Sequence, residues 1–135
     1  MAGMSVFDIA GRAMSAQLIR LNTTASNLAN AGSVATKAED AYRARKPVFA
    51  TVLDRASSAR ATVEVADVVN ASAAPQRRYD PGHPLADKDG FVFAAAVDPN
   101  QEMIEMIETA RQYQNNVEVL QTAKQLILGT LKLGQ

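Results

Sequence analysis

Apolar residues recur every three or four positions near the start of the chain, which is the spacing of one face of an α-helix. They predict a helix over about residues 5–30, and Asn30 and Gly32 predict its end because both tolerate left-handed backbone angles. Alanines beside the stripe, among them Ala10 and Ala16, predict that a neighbouring backbone comes close. Alternating steps of three and four residues predict a coiled-coil seam. Its members are Phe7, Gly11, Met14, Leu18, Leu21, Ala25 and Leu28.

A second stripe with the same spacing predicts a long helix over about residues 98–133. Asp98 is suited to cap its first turn, Pro99 fits the first helical position, and Gln101 completes a pattern like a capping box. Because each helix carries a seam, we predict that the two helices pair as a coiled coil. The second seam consists of Met103, Met106, Ala110, Tyr113, Val117, Leu120, Lys124, Ile127 and Leu131.

The middle of the chain has a different pattern, in which β-branched residues partly alternate with polar ones. This pattern predicts strands over residues 47–53, 61–69 and 90–97, with a turn over residues 54–60. Four prolines argue against long helices there. The predicted fold class is therefore α+β, with long N- and C-terminal helices paired as a coiled coil and a small β segment between them. The chain divides into an N-terminal helix (1–32), a connecting loop with the β segment (33–97) and a C-terminal helix (98–135), which together form one unit.

Composition excludes several classes of function. The 135 residues carry no formal net charge, so nothing indicates a nucleic-acid partner or an acidic membrane surface. Without cysteine there is no disulfide, no zinc–thiolate site and no cysteine nucleophile. No apolar run approaches the roughly 20 residues of a membrane span, so no direct membrane insertion is expected. The N-terminus lacks the pattern of a secretory signal, and the residues alone therefore indicate a cytoplasmic location.

Two antiparallel helices bury only part of their circumference, and this pair is longer than the β segment. Much of both seams would then meet water in a monomer, and extended apolar surface typically marks an interaction site. The pattern favours a subunit of an assembly. A self-contained α+β domain, whose helices fold back on the sheet, is the alternative.

The stretch PGHPLADKDG, residues 81–90, has the highest density of chemically active residues. It contains the only histidine, His83, close to Asp87, which is the pairing that a general base requires. DKDG also resembles part of a calcium loop, but the terminal Glu of that pattern is missing. Turn chemistry is favoured over both, because Asp89-Gly90 can supply the positive φ of a tight turn. We therefore predict no catalytic, cofactor-binding or metal-binding residue.

Three segments resemble the bacterial flagellar rod and hook proteins. FDIAGRAMSAQLIRLNTTASNLANAGS resembles the N-terminal signature of that family. YRARKPVF resembles the following segment of its proximal rod members, and residues 79–135 resemble their C-terminal half nearly throughout. Residues 33–41 and 54–75 are nonspecific. The chain departs from the family in its loop ATKAEDAYR, which lacks the usual Gly and Pro, and at Pro99.

The resemblance implies a structural, non-enzymatic subunit of the flagellar proximal rod, without a cofactor. Its terminal helices would assemble into the tubular drive shaft, which transmits torque and continues the export channel. The implied partners are further copies of itself, other proximal rod subunits, the distal rod, the rod-base adaptor, the MS ring and the flagellar type III export apparatus. The implied location is the basal body, in a rod that spans the periplasm, after export without a cleaved signal peptide. A soluble helical adaptor or an export chaperone, which holds a partner transiently, is the alternative.

This resemblance assigns roles to the residues described above. The helix seams become the assembly interface, namely Phe7, Met14, Leu18, Leu21, Leu28, Met103, Met106, Tyr113, Val117, Leu120, Ile127 and Leu131. Polar residues on the helices would set the register of packing, namely Asn22, Asn27, Asn30, Gln114 and Asn116. A linker turn would fix the angle between the β segment and the last helix, through Pro81, Gly82, Pro84, Asp87 and Gly90.

Overall fold

A computed structural model of the chain describes residues 5–55 and 57–135, with the backbone alone at 57–59. Within these residues two long helices enclose five strands and a short 3₁₀ turn. In chain order the elements are α1 (Val6–Ala29), β1 (Val34–Ala35), the 3₁₀ turn (Ala38–Asp40), β2 (Arg45–Asp54), β3 (Ser57–Asn70), β4 (Gln76–Tyr79), β5 (Phe91–Ala94) and α2 (Pro99–Leu133). The predicted α+β fold, with a small β segment between terminal helices, is confirmed.

Helix α1 has the predicted limits, but it ends for a different reason. At its start the Ser5 hydroxyl accepts a hydrogen bond from the Asp8 amide (3.1 Å), and the Asp8 carboxylate accepts one from the Ser5 amide (2.9 Å). This reciprocal pair is a capping box. The prediction of a left-handed end was wrong, since Asn30 has φ −100° and Gly90 alone has positive φ in the described chain. Instead the Ser26 carbonyl in the last turn accepts from both the backbone amide (3.1 Å) and the side-chain amide (2.9 Å) of Asn30.

The capping box makes the start of α1 sensitive to acid. The backbone amide and the hydroxyl of Ser5 donate to the Asp8 carboxylate, and they hold the pKa of Asp8 below its usual range. Because the pKa of Asp8 is lower in the folded state, its ionised carboxylate stabilises the helix fully at pH values above the unfolded-state pKa of about 3.9. This stabilisation is lost as the pH falls through the folded-state pKa. We expect the first turn of α1 to fray in acid before the rest of the helix. Amide chemical shifts in the first turn, followed by NMR from neutral to acidic pH, measure this, and Asp8→Asn should abolish the titration. An unchanged titration in that variant would contradict the assignment.

Helix α2 begins as predicted and is the longer of the two helices. The Asp98 carboxylate accepts from the amides of Asn100 (3.0 Å) and Gln101 (3.4 Å), and Pro99 occupies the first turn. Its 35 residues span about 52 Å, whereas the 24 residues of α1 span about 36 Å. The length difference leaves part of α2 without a counterpart.

The two helices pack antiparallel, which confirms that they pair. Asn27 near the end of α1 contacts Glu102 near the start of α2, and Gln17 contacts Gln112 further along. At the other end Val6, the first residue of α1, lines a groove together with Ala123 and Leu126. Residues 127–133 of α2 lie beyond this groove, and all of them are exposed. We refer to residues 127–133 as the α2 extension.

The strands form two separate antiparallel sheets. β2 and β3 make a long ribbon, and the second sheet has the order β1-β5-β4. Strands predicted at 47–53 and 61–69 are confirmed in β2 and β3, and the strand predicted at 90–97 is confirmed in the shorter β5. β1 and β4 were not predicted, and the predicted turn at 54–60 is narrower because β3 begins at Ser57. The ribbon lies against α1, where the buried Thr62 hydroxyl donates to the Ile9 carbonyl (3.4 Å).

Few large apolar side chains are buried. In the described chain the fully buried apolar residues are Ala10, Ala16, Ala41, Ala44 and Val92. The buried polar residues are Thr24, Asn27, Asp54, Thr62, Glu102 and Thr109. Ala10 and Ala16 were predicted to permit close approach, and they do lie in the interior. Small and polar residues therefore make up most of the buried interior of the subunit, and most of the large apolar residues remain near its surface.

Candidate assembly interface

A buried asparagine joins both helices to the ribbon. Asn27 is 1% exposed. Its carbonyl oxygen accepts from the Tyr42 hydroxyl (2.8 Å) and the Arg45 amide (2.9 Å), and its amide group donates to the Arg45 carbonyl (2.9 Å) and to Oε2 of Glu102 (3.0 Å). Both donors and both acceptor positions of the side chain are thus used. Because these partners lie on α2, on β2 and in the loop before β2, one side chain fixes the relative position of all three.

Glu102 completes this cluster, which we call the polar junction (Asn27, Tyr42, Arg45, Lys46 and Glu102). Glu102 is 3% exposed, and its second carboxylate oxygen accepts from the Lys46 ammonium at 3.1 Å. A buried carboxylate needs both hydrogen bonds and an opposite charge to offset the loss of hydration. Asn27 and Lys46 supply these from two different elements. The junction therefore specifies one register between α1 and α2.

A second polar layer lies further along the helix pair. Arg20 donates from Nε to Oε2 of Glu105 at 3.2 Å, and Gln17 donates to Gln112 at 2.8 Å. Arg20 also reaches Gln112, at 3.4 Å. The side chains of Arg20 and Glu105 are 21% and 29% exposed, so this ion pair is only partly shielded and stabilises modestly. This second polar layer is consistent with the same register between α1 and α2 as the polar junction.

These contacts define a helix contact line, in which each residue precedes a predicted seam residue by one position in the sequence. In α1 the line contains Gln17, Arg20, Thr24 and Asn27, and in α2 it contains Glu102, Glu105, Thr109 and Gln112. The hydrogen bonds between the two helices therefore lie beside the predicted seams. One residue corresponds to about 100° around a helix, so the apolar seams lie beside the contact. Small and hydrogen-bonded side chains allow the close approach that bulky seam residues would prevent.

The predicted seam residues consequently differ in exposure. Half-buried positions are Met14, Leu21, Leu28, Met106, Tyr113, Val117 and Leu120. Exposed positions are Phe7 (40%), Leu18 (44%), Met103 (49%), Ile127 (48%) and Leu131 (62%). These exposed seam residues form apolar surface along both helices.

Among the described helices, none is long and apolar enough to cross a membrane.

The predicted register residues occupy different environments. Asn27 lies at the centre of the polar junction, whereas Asn30 bonds within its own helix. Asn22 and Gln114 are exposed, and Asn116 is half-buried. Sequence reasoning missed Glu102, Lys46 and Tyr42 as site residues. The signal for Glu102 was its position four residues before Met106 and seven before Thr109, which places a carboxylate on the inner face of α2.

The linker turn connects β4 to β5. Oδ1 of Asp87 accepts from the amides of Asp89 and Phe91, both at 2.9 Å, and Nδ1 of His83 accepts from the Leu85 amide at 3.0 Å. The side chains that suggested a base or a metal ligand thus bond to the local backbone. No cluster of three potential metal ligands occurs in residues 5–55 and 57–135. Pro81, Gly82 and Pro84 are exposed in the same turn.

Gly90 has the positive φ that the sequence predicted, at +83°. A Cβ atom at this position would lie 3.0 Å from the Pro81 side chain and 3.0 Å from the Tyr79 ring. We expect Gly90→Ala to destabilise the fold by about 1–3 kcal/mol, because it adds both backbone strain and a steric clash. Gly82→Ala is the matched control, since a Cβ there meets nothing within 4 Å. Thermal unfolding measures both, and equal midpoints for the two variants would refute the argument.

Comparison with known proteins gives consistent matches. Residues 88–133 match the family described as "Flagellar basal body rod FlgEFG protein C-terminal", and residues 7–32 match "Flagella basal body rod protein". The chain is 47% identical to the flagellar basal-body rod protein FlgC of Escherichia coli O6:H1. It is 46% identical to the protein of that name in Salmonella typhimurium and 45% identical to the one in Yersinia enterocolitica. Each alignment covers 100% of both chains, so the similarity extends through both helices and the β segment.

Proposed function

The chain belongs to the FlgC family of flagellar basal-body rod proteins and is a structural subunit of the rod, and we propose that its predicted seams are the surfaces through which it assembles. The observation that carries the proposal is the position of those seams. They lie beside the helix contact line, and their exposed members are 40–62% exposed within the described chain. Apolar surface that the subunit leaves uncovered is available for neighbouring subunits.

Burial of this surface supplies the driving force for assembly. A Leu, Ile, Met or Phe side chain contributes about 1.5–3 kcal/mol when it moves from water to an apolar contact, before ordering costs. About half of that contribution remains for each of the exposed seam residues, which are 40–62% exposed, namely Phe7, Leu18, Met103, Ile127 and Leu131. The surface is distributed along two helices of about 36 and 52 Å, which suits lateral packing in a tube.

Polar side chains outside the polar junction have a second role in this proposal. Asn22 and Gln114 are exposed beside the seams and can set the register between subunits, together with Asn30 and Asn116. The linker turn joins β4 to β5, and the backbone bonds of Asp87 within it hold these two strands together and do not set the angle to α2. The N-terminal helix, the connecting segment and the C-terminal helix then act as one unit.

We further propose where this subunit acts and what it contacts. Its partners are copies of itself and the adjoining rod, rod-base and MS-ring proteins, and its path is the flagellar type III export apparatus without a cleaved signal peptide. In the rod it spans the periplasm, transmits torque and continues the export channel, without catalytic activity. Membership of the rod family supports this location, and the turn bonds of His83 and Asp87 support a structural role for the residues that first suggested chemistry.

Fractionation tests the proposed function. An epitope-tagged copy of the chain is expressed in a flagellated bacterium that lacks its own FlgC, and hook–basal bodies are purified. We expect the tagged chain in the hook–basal bodies and restored swimming. A chain that stays in the cytosol bound to another flagellar protein would instead support the adaptor or chaperone.

A further inference from the structure

A cleft of about 290 Å³ opens where α1, α2 and β2 meet, and members of both polar layers line it. Its lining consists of Arg20, Thr24, Arg45, Lys46, Pro47, Phe49 and Glu105. Three of these residues are cationic and one is a carboxylate, so we refer to this cleft as the cationic cleft. A cleft lined by charge of one sign attracts groups of the opposite sign.

The three cations of the cleft exceed the two carboxylates that pair with them by one charge. Arg20 donates to Glu105, and the Lys46 ammonium bonds to the buried Glu102, which does not itself line the cleft. The third cation is Arg45, and in residues 5–55 and 57–135 its guanidinium makes no hydrogen bond or ion pair. One positive charge of the cationic cleft is therefore still available for a partner.

Arg45 is held in place at its backbone and is open at the tip of its side chain. Its amide donates to Asn27 and its carbonyl accepts from Asn27, both at 2.9 Å, whereas the residue is exposed. A guanidinium offers a planar fork of donors that matches the two oxygens of a carboxylate. Pro47 and Phe49 lie beside it on β2, and apolar groups that exclude water from an ion pair strengthen it.

We infer that the cationic cleft receives an acidic side chain of an adjoining rod subunit, and that Arg45 binds its carboxylate. The inference rests on the proposed function and names one contact within it. Arg20 directly precedes the seam residue Leu21 on α1, so a subunit that covers this seam lies next to the cleft. Charge and position therefore favour the same occupant, which is an Asp or Glu beside apolar residues on the covering subunit.

Carbodiimide cross-linking tests the contact, because it joins an amine to a carboxylate that touches it, with loss of water and without a spacer. Arg45→Lys keeps the positive charge of the cleft and supplies the amine. The full chain with this change is treated in purified hook–basal bodies and, separately, as dilute purified subunit. In the hook–basal bodies alone we expect an amide bond between position 45 and an Asp or Glu of another subunit, identified by mass spectrometry.

The lysines that the chain already has show whether the reagent reacts, namely Lys37, Lys46, Lys88, Lys124 and Lys132. If these lysines react while the amine at position 45 joins no other subunit, the inference is overturned. A link from position 45 only to Glu105 of its own chain, which leaves the chain at monomer size on a denaturing gel, overturns it as well.

Charge reversal gives an independent readout. Arg45→Glu is expected to reduce both swimming and recovery in hook–basal bodies by at least about tenfold, because two carboxylates would then face each other. Lys88→Glu is the matched control, since Lys88 is exposed in the linker turn and does not line the cleft. Equal swimming of the two variants would contradict the inference.

Thermal unfolding verifies that both charge-reversal variants fold. Their midpoints should be similar, because the bonds between Arg45 and Asn27 are made by the backbone of Arg45. If Arg45→Glu unfolds more easily than the control, Arg45→Gln takes its place.

Incorporation separates this inference from the proposed function. If the Arg45→Lys chain is present in hook–basal bodies but is not joined to another subunit, the contact is removed and the rod function remains. Absence of the unsubstituted chain from hook–basal bodies removes the rod function itself.

Discussion

Replacing Ile127 and Leu131 together with aspartate is expected to abolish rod assembly and swimming while the isolated subunit stays folded. Both side chains lie in the α2 extension, where they are 48% and 62% exposed. About half of each side chain is still exposed, so the pair contributes about 1.5–3 kcal/mol in total to a subunit contact, and its loss weakens that contact by roughly 10–10²-fold. Buried carboxylates without partners weaken it further.

The measurement is swimming in soft agar, together with recovery of the variant in hook–basal bodies. Gln125→Asp with Thr130→Asp is the matched control, since it adds two charges to the same exposed segment at positions outside the predicted seam. Circular dichroism should give equal helix content for both variants. If the seam variant swims as well as the control variant, the seam is not an assembly surface.

The starts of both helices could be predicted because their determinants are local. Ser5 and Asp98 bond to amides two or three residues away, so a short stretch of sequence contains all the information needed. Gly90 was predictable for the same reason, since a positive φ follows from the turn itself. By contrast, β1 has only two residues and pairs with β5 about sixty residues later, so nothing near Val34 marks it as a strand.

The apolar pattern could not predict which line of residues on each helix makes the closest contact with the other helix. Apolar spacing identifies the most hydrophobic line on each helix, but closest approach depends on which side chains are small or find a partner across the interface. Thr109 is fully buried, and it lies one position before the predicted seam residue Ala110. Asn27 and Glu102 are 75 residues apart, and the complementarity of their side chains becomes visible only in the antiparallel register. The exposed members of the apolar line are the surface that we propose for partners outside the chain.

Asn27→Ala is expected to give the largest loss of subunit stability of any single change on α1. It removes four hydrogen bonds, so that Oε2 of Glu102 and both backbone groups of Arg45 lose their Asn27 partner, while the Tyr42 hydroxyl keeps only its 3.3 Å contact with Ser26. Each buried polar group left unsatisfied costs about 1–3 kcal/mol, so the sum is a large part of the roughly 5–15 kcal/mol that stabilises a small domain. Urea unfolding followed by circular dichroism measures the loss. Asn22→Ala, an exposed position on the same helix, should stay within about 0.5 kcal/mol of the parent.

A rescue experiment distinguishes the hydrogen bonds of Asn27 from its packing alone. Asn27→Asp keeps the shape of the side chain but turns its donor toward Glu102 into a second carboxylate, so it should destabilise as strongly as alanine. Adding Glu102→Gln restores one donor and one acceptor across the 3.0 Å contact and should recover part of the lost stability. If the two changes are instead additive, the energetic coupling between α1 and α2 does not pass through this contact. Register would then depend on the Arg20–Glu105 layer, and the seams beside it would retain their position without the polar junction.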